Sequence, residues 1–391
     1  MIKKILTHLQ TTEKMKKMNN IKIMTLLGTR PEIIRLSRIM RKFDEYFNHI
    51  IVHTNQNYDY ELNQVFFDEL NIRKPDYVLE VKADTIGQQI GNILSQTEKI
   101  LLSEKPDAIL ILGDTNSSLC SIIAKRMKIP IFHIEAGNRC FDDRVPEEIN
   151  RRIVDHTSDI NLCYSEHARR NLLREGLPTQ YTYVIGSPLK EVYQYYMNEI
   201  ENSNILDKLN LEKGEYLLAS FHREENVEDS NNFTSILEAL NELAKIYEKQ
   251  IIVSTHPRTK KRLNDTNFEL DLKINFMKPF GMFDYIKLQK NSLCTLSDSG
   301  TIHEDAAIMK IPAVNLRESN ERPETYDVGN VIMSGLDKCA IVHAVSTIIS
   351  QNKSGIDFKC PYDYQDENCS DKVVRLIIGL PSIVSKKKYF E

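Results

Sequence analysis

Residues 21–38 read "IKIMTLLGTRPEIIRLSR", and their order decides the fold. The first seven are almost wholly apolar, as a strand must be when it is covered on both faces. Gly28 then permits a turn or close approach that a side chain would bar. Pro31 suits the first helical position, and residues 31–43 continue as an amphipathic helix. Strand, tight turn and helix in succession open a βαβ unit.

Working outward, the alternation recurs. "HIIVHT" (49–54), "DAILIL" (107–112), "IPIFHI" (129–134), "DINLCY" (159–164) and "YTYVI" (181–185) read as further strands. Helical patterns at 84–103, 115–127 and 165–175 separate several of them, which predicts a parallel sheet covered on both sides. After a weakly apolar stretch, "NEIENSNILDKLNLEKG", the pattern restarts. "YLLAS" (216–220), a helix near 231–247, "QIIVST" (250–255), "LKINF" (272–276), "SLCTL" (292–296) and "IPAVNL" (311–316) follow. Helices at 336–350 and 370–379 close the chain, the last of them in either domain.

A length of 391 residues exceeds what one hydrophobic core usually supports, so two domains are the default. The expected division is an extension at 1–20, a first α/β domain at 21–207 and a second at 208–391. Two such domains in series create an interdomain cleft, and ligands in these sheets lie beyond the carboxyl ends of the strands. The first twenty residues hold no apolar segment long enough for a signal peptide and read as a dispensable tail. No window approaches the roughly 20 apolar residues needed to span a bilayer.

Lys+Arg 51 against Asp+Glu 55 gives a net charge of -4, and no basic block suggests nucleic-acid affinity. An anionic ligand must therefore be held by local geometry. The seven cysteines show no CxxC or zinc spacing, which predicts a reduced, cytoplasmic chain; Cys360 and Cys369 would pair only in an exported one.

The distinctive polar motifs all follow strands. Arg30 lies in the turn of "LLGTRPEIIR" and Arg35 one turn into the helix, where both can address a diphosphate beside free helix amides. The spacing is not GxGxxG, so bound NAD is not supported. "LILGDTNSS" places Asp114 just past a strand; alone, it is equally a turn or capping residue. "HIEAGNRCFDDRVPEEINRRIVDH" (133–156) adds Glu135 after the next strand. Pro146 then starts a helix in which Glu147 and Arg151, four apart, share a face and Glu148 points elsewhere. In the second domain "SFHREEN" supplies His222 and Arg223, and "STHPRTK" supplies His256 and Arg258, as contacts to negative oxygens. "SDSGTIHEDAA" presents Ser299 and Gly300 at a helix start, followed by His303, Glu304 and Asp305. No HExxH or other compact metal spacing occurs, so neither metal nor cofactor is expected.

"GTRPEIIR", "GDTNS", "HIEAGNRCFDDRVPEEINRRIVDH", "GSP", "SFHREEN", "STHPR", "SDSGTIHEDA" and "RPE", spread over residues 22–325, resemble the non-hydrolysing UDP-N-acetylglucosamine 2-epimerase family. The match looks closer to its capsule and O-antigen branch, the UDP-N-acetyl-L-fucosamine synthases. The resemblance implies two Rossmann-like domains of the glycosyltransferase-B type, UDP bound mainly by the second, a homodimer, no required NAD or metal, and elimination followed by addition. By motif match, Asp114, Glu135, Glu147, Arg151 and His222 fall at catalytic positions. Arg30 and Arg35 fall on the diphosphate side, and His222, Ser299 and Gly300 at nucleotide-binding positions.

Two features depart from the family pattern. Asn138 stands where the family has leucine, followed by an unusual "CFDDRVPEE", and Asp305 stands where glutamate is usual, as the residue that would hold the ribose hydroxyls. The change at 138 favours a substrate other than the common N-acetylglucosamine compound. The reaction implied by the branch resemblance is conversion of UDP-2-acetamido-2,6-dideoxy-L-talose to UDP-N-acetyl-L-fucosamine, with the UDP-N-acetylglucosamine/UDP-N-acetylmannosamine interconversion as alternative. A UDP-sugar glycosyltransferase and a non-catalytic nucleotide-sugar sensor or scaffold are the competing functions. The resemblance implies precursor synthesis for surface polysaccharide, with no stable membrane association.

Overall fold

The computed structural model describes residues 21–56 and 60–389; the expected extension at 1–20 lies outside the described residues. The chain forms two compact units, one of residues 1–192 with 366–391 and one of residues 193–365.

In the first unit seven parallel strands are β1 (Lys22–Leu27), β2 (Asn48–His53), β3 (Tyr77–Val78), β4 (Ala108–Leu112), β5 (Ile131–Ile134), β6 (Ile160–Cys163) and β7 (Thr182–Val184). Their spatial order is β3-β2-β1-β4-β5-β6-β7. The register is parallel throughout; Met24 lies beside Ile50 on one side and Ile109 on the other. Met24, Leu26, Val52, Ile109, Ile111 and Ile131 are all buried in one core, as near-continuous apolar strands require when helices cover both faces. Short β3 was not read from the sequence, since two residues carry no period.

The second unit repeats the plan. Its strands are β8 (Tyr216–Ser220), β9 (Gln250–Ser254), β10 (Ile274–Met277), β11 (Cys294–Ser297), β12 (Ala313–Asn315) and β13 (Val331–Met333), in the order β10-β9-β8-β11-β12-β13. Leu217, Ala219, Val253, Leu296 and Val314 pack against Phe233, Ile236, Leu237 and Leu240 of the helix Ser230–Tyr247 and against Ile341 and Val345 of the helix Lys338–Lys353. Asp229 starts the first of these helices by accepting the Asn231 and Asn232 amides, both at 2.9 Å, a cap worth about 1 kcal/mol. Leu237→Ala would empty a fully buried site at a cost of about 2–5 kcal/mol.

The division between the units differs from the expected one at residue 207. Residues 193–207 belong to the second unit: Tyr196 stacks on Phe283 at 5.5 Å, and Glu201 takes Lys287 at 3.0 Å. The helix Cys369–Gly379, expected in either domain, packs on the helix Arg30–Tyr46 of the first unit. Cys369 is a buried thiol whose Sγ donates to the Gly186 carbonyl, not a partner of Cys360. Among the described residues no helix is long and apolar enough to cross a membrane.

In both units the strand order reverses direction at one place, between β1 and β4 and between β8 and β11. In doubly wound sheets ligands bind beyond the carboxyl ends of the strands at such a reversal.

Candidate active site

The turn after β1 is held by an acid that the sequence reading passed over. Glu32, fully buried, accepts from the Gly28 amide at 2.8 Å, the Thr29 amide at 2.6 Å and the Thr29 hydroxyl at 2.8 Å. Its other oxygen accepts from the Thr115 hydroxyl at 3.1 Å, so it ties the turn after β1 to the turn after β4. Burial pushes its carboxyl up to about 7, against the four donors that favour the charged form. The amides of Gly28 and Thr29, just before the helix whose free amides were expected to receive an anion, are thus taken by Glu32. The Thr29-x-x-Glu32 spacing of a capping box was the available signal. A Cβ on Gly28 would lie 2.1 Å from Thr54 Oγ1 and 2.4 Å from Ser117 Oγ, so only glycine fits. Arg30 is half-buried with its guanidinium 5.8 Å from the Phe66 ring centre.

The predicted acids stand at the ends of β4 and β5. Arg151 Nε donates to Asp114 Oδ2 at 2.7 Å, and Asn150 Nδ2 donates to the Asp114 carbonyl at 2.9 Å. Glu135 Oε2 lies 3.5 Å from Arg35 Nη1 and 4.0 Å from where a Cβ on Gly113 would stand. The backbone at Glu135 is left-handed, with φ of 68°, a conformation that costs about 1–3 kcal/mol in a non-glycine residue and is concentrated at functional sites. Asn138 Nδ2 approaches Glu135 Oε1 at 3.4 Å. Two partly accessible carboxylates are therefore each held by a largely buried arginine.

The partner expected for Arg151 changes. Its Nη1 bonds Glu148 Oε2 at 2.9 Å, and Glu148 is fully buried while Glu147 is half-exposed. Burial raises the Glu148 carboxyl, but the Cys140 amide and Arg151 outweigh it and hold the group below its ordinary range. Glu148, not Glu147, is the acid that braces Arg151 beside Asp114.

In the second unit one buried acceptor organises the strand ends. Asp298, which follows β11, receives the His222 and Arg223 amides at 2.8 Å each and Asn226 Nδ2 at 3.0 Å. His222 Nδ1 lies 3.3 Å from the second Asp298 oxygen, and its half-exposed ring sits 5.3 Å from that of His256. His256 caps the helix Pro257–Asn264 through Nδ1, which accepts from the Arg258 amide at 3.2 Å. Arg258 Nη1 donates to the His222 carbonyl at 3.1 Å. The Ser299 and Thr301 hydroxyls share a bond of 2.8 Å where the helix Thr301–Met309 begins.

Gly300 faces a buried ion cluster that was also unread: a Cβ there would stand 3.1 Å from Glu321 Oε1 and 3.3 Å from Arg322 Nη1. Arg317 pairs with Glu321 at 2.8 Å and Arg322 with Glu304 at 3.0 Å. Asp305 points into the interior, where Tyr193 Oη and Gln289 Nε2 donate to it. The side chain expected to hold ribose hydroxyls is thus engaged by protein donors, because the shorter acid sits within reach of them. Among the described residues no group of three His, Cys, Asp or Glu side chains forms a metal-ligand set.

A family model described as UDP-N-acetylglucosamine 2-epimerase matches residues 41–378. The chain belongs to the UDP-N-acetylglucosamine 2-epimerase family. Membership makes it an isomerase acting at carbon 2 of a UDP-linked N-acetylamino sugar. A UDP-N-acetylglucosamine 2-epimerase structure from Rickettsia bellii is 48% identical, with a TM-score of 0.89, covering 95% of this chain and 100% of that one. The Methanocaldococcus jannaschii UDP-GlcNAc 2-epimerase, solved in complex with UDP-GlcNAc and UDP, is 37% identical with a TM-score of 0.86, covering 92% and 99%. A UDP-2,3-diacetamido-2,3-dideoxy-D-glucuronate 2-epimerase of Pseudomonas aeruginosa is 33% identical over 336 residues, 85% of this chain and 93% of its own. These similarities agree with the paired doubly wound sheets described above.

Proposed function

We propose that this enzyme interconverts UDP-N-acetylglucosamine and UDP-N-acetylmannosamine by eliminating and re-adding UDP. The observation that carries the reading is the pair of strand-end carboxylates, Asp114 and Glu135, each fixed by its own arginine in a member of this family. The D-gluco substrates named for the Methanocaldococcus and Pseudomonas relatives support this sugar series over the L-talo substrate that the branch resemblance implied.

The hydrogen on carbon 2 of an N-acetylamino sugar is not beside a carbonyl, so a base alone removes it poorly. Rupture of the carbon 1–oxygen bond, with both electrons leaving on UDP, gives the ring oxocarbenium character and acidifies carbon 2. A carboxylate takes that proton and a glycal forms. Proton return to the opposite face and re-addition of the UDP oxygen to carbon 1 complete inversion, with no net change in electrons. His222, Arg258, Ser299 and the Gly300 amide hold the departing diphosphate through charge-assisted and helix-terminal bonds, with His256 beside them. Asp114 and Glu135 serve the two faces of carbon 2, a step in which each well-placed acid or base contributes about 10²-fold to 10⁴-fold. Glu147 assists proton management from the helix edge.

The test is proton NMR in deuterated water with UDP-N-acetylglucosamine and, separately, the UDP-linked L-talo compound. The manno product should carry deuterium at carbon 2. Inversion with the original hydrogen retained overturns the mechanism; turnover of the L-talo compound alone overturns the substrate.

A further inference from the structure

Beneath the acids of the first unit lies a buried ion cluster that the reaction just proposed does not use. Asp155, 1% exposed, receives the Gly137 amide on both carboxylate oxygens at 3.2 Å. Arg139 Nη1 donates to its Oδ2 at 2.7 Å, and His133 Nδ1 faces its Oδ1 at 2.9 Å. His133 turns its other nitrogen to the Gly113 carbonyl at 2.9 Å. Both ring nitrogens of His133 therefore face protein oxygens. Burial raises the Asp155 carboxyl, but His133 and Arg139 outweigh it and keep the group ionised. Arg139 continues to both oxygens of Glu175, at 2.8 and 2.7 Å, so one buried guanidinium bridges two carboxylates.

The reach of this cluster gives it a role. Gly113 immediately precedes Asp114. Gly137 follows Glu135 by two residues and presses on the helix Glu166–Arg174 so closely that a Cβ would stand 2.3 Å from the Ala168 carbonyl. Arg139 also donates to the Asn138 carbonyl at 2.7 Å. One carboxylate thereby grips both turns that carry the acids, through His133 on one side and through Gly137 and Arg139 on the other.

We infer that Asp155, acting through His133 and Arg139, is a positioning residue that sets the spacing and aim of Asp114 and Glu135; this rests on the acid–base reading proposed above. Displacing a reacting group by about 1 Å costs about 10²-fold. Asp155→Asn keeps the shape and removes the charge that orders the cluster. It should lower kcat for epimerisation and the rate of carbon 2 deuterium incorporation about 10²-fold, with KM and the Kd of UDP unchanged within twofold. If that variant does not fold, His133→Gln, which retains a donor for Gly113 but removes the ring nitrogen that faces Asp155, should show the same split. A folded variant with parental kcat overturns the inference. So does a loss of kcat matched by equal losses of UDP affinity, or collapse of both variants, since either marks general support of the fold. A parent enzyme that exchanges no carbon 2 hydrogen on UDP-N-acetylglucosamine or on the L-talo compound sinks the functional reading itself, and the positioning role with it. An active parent beside an unaffected variant sinks the positioning role alone.

Discussion

The two units share one strand order and use its reversal point in opposite ways. After β4 and β5 the first unit presents acids, Asp114 and Glu135, each leaning on an arginine. After β8 and β11 the second unit hides its acid: Asp298 is consumed by two backbone amides and Asn226, and imidazole, guanidinium and hydroxyl groups stand around it. The same architecture thus carries paired acids in one half and imidazole, guanidinium and hydroxyl groups in the other, which the proposed mechanism uses for proton transfer and for seating the anion. Fold alone does not assign the chemistry; the side chains at the strand ends do.

The largest effect should come from removing the acids of the first unit. Asp114→Asn and Glu135→Gln should each reduce carbon 2 exchange by about 10²-fold to 10⁴-fold while UDP affinity, measured by calorimetry, stays within twofold. If either variant loses UDP affinity and keeps exchange, the contrast between the units is wrong for that residue.

Glu32 sharpens the same contrast through stability. Its folded-state carboxyl is raised from 4.5 to about 7 by burial, so its proton is held more tightly in the folded chain than in the unfolded one. The stabilisation that follows is complete below about pH 4.5 and is lost as pH rises through about 7, a change of roughly 3 kcal/mol for a shift of this size. Glu32→Gln should therefore flatten the decline in stability over that window, seen as denaturant midpoints that converge less steeply with pH. Parallel pH slopes for the two proteins would show that the four donors around Glu32 outweigh its burial.

Smaller effects belong to the anion seat. Ser299→Ala should weaken UDP binding about tenfold, the worth of one hydrogen bond to a charged group, with little change in kcat at saturation. Gly300→Ala sets a Cβ 3.1 Å from Glu321 Oε1 and 3.3 Å from Arg322 Nη1. Both are ends of flexible side chains, so a loss of only a few-fold in UDP affinity is expected, with an energy on the order of 1 kcal/mol. A larger loss from Gly300→Ala than from Ser299→Ala would place the nucleotide against the Arg317–Arg322 cluster instead of the hydroxyl.

Strands with apolar residues on both faces were legible because burial on both sides leaves a run that few other structures need, and the acids at their ends were legible by position. Phase was not. Val145 at the start of the helix Pro146–Thr157 offers no capping side chain, so nothing in the sequence chose Glu148 over Glu147 as the inward acid. Asp298 was read only as part of a motif, because an acceptor of backbone amides leaves no periodic trace. The division at residue 207 was misplaced for a similar reason: Tyr196 and Glu201 join the second unit through ring stacking and an ion pair with residues more than eighty positions away. Asp155 carries no spacing that marks it in the sequence, and only the closeness of His133 to Gly113 and of its own carboxylate to Gly137 shows what it links.

Because the helix Cys369–Gly379 covers the helix Arg30–Tyr46, the second unit is an insertion within the first. During synthesis residues 193–365 are all available to condense before residues 366–391 have left the ribosome. The nascent first unit must wait with the helix Arg30–Tyr46 uncovered on that side, although its sequence emerged earlier, and vectorial folding by order of appearance is reversed at completion. Premature termination just past residue 365 would accordingly spare the later-made half and strand the earlier-made one.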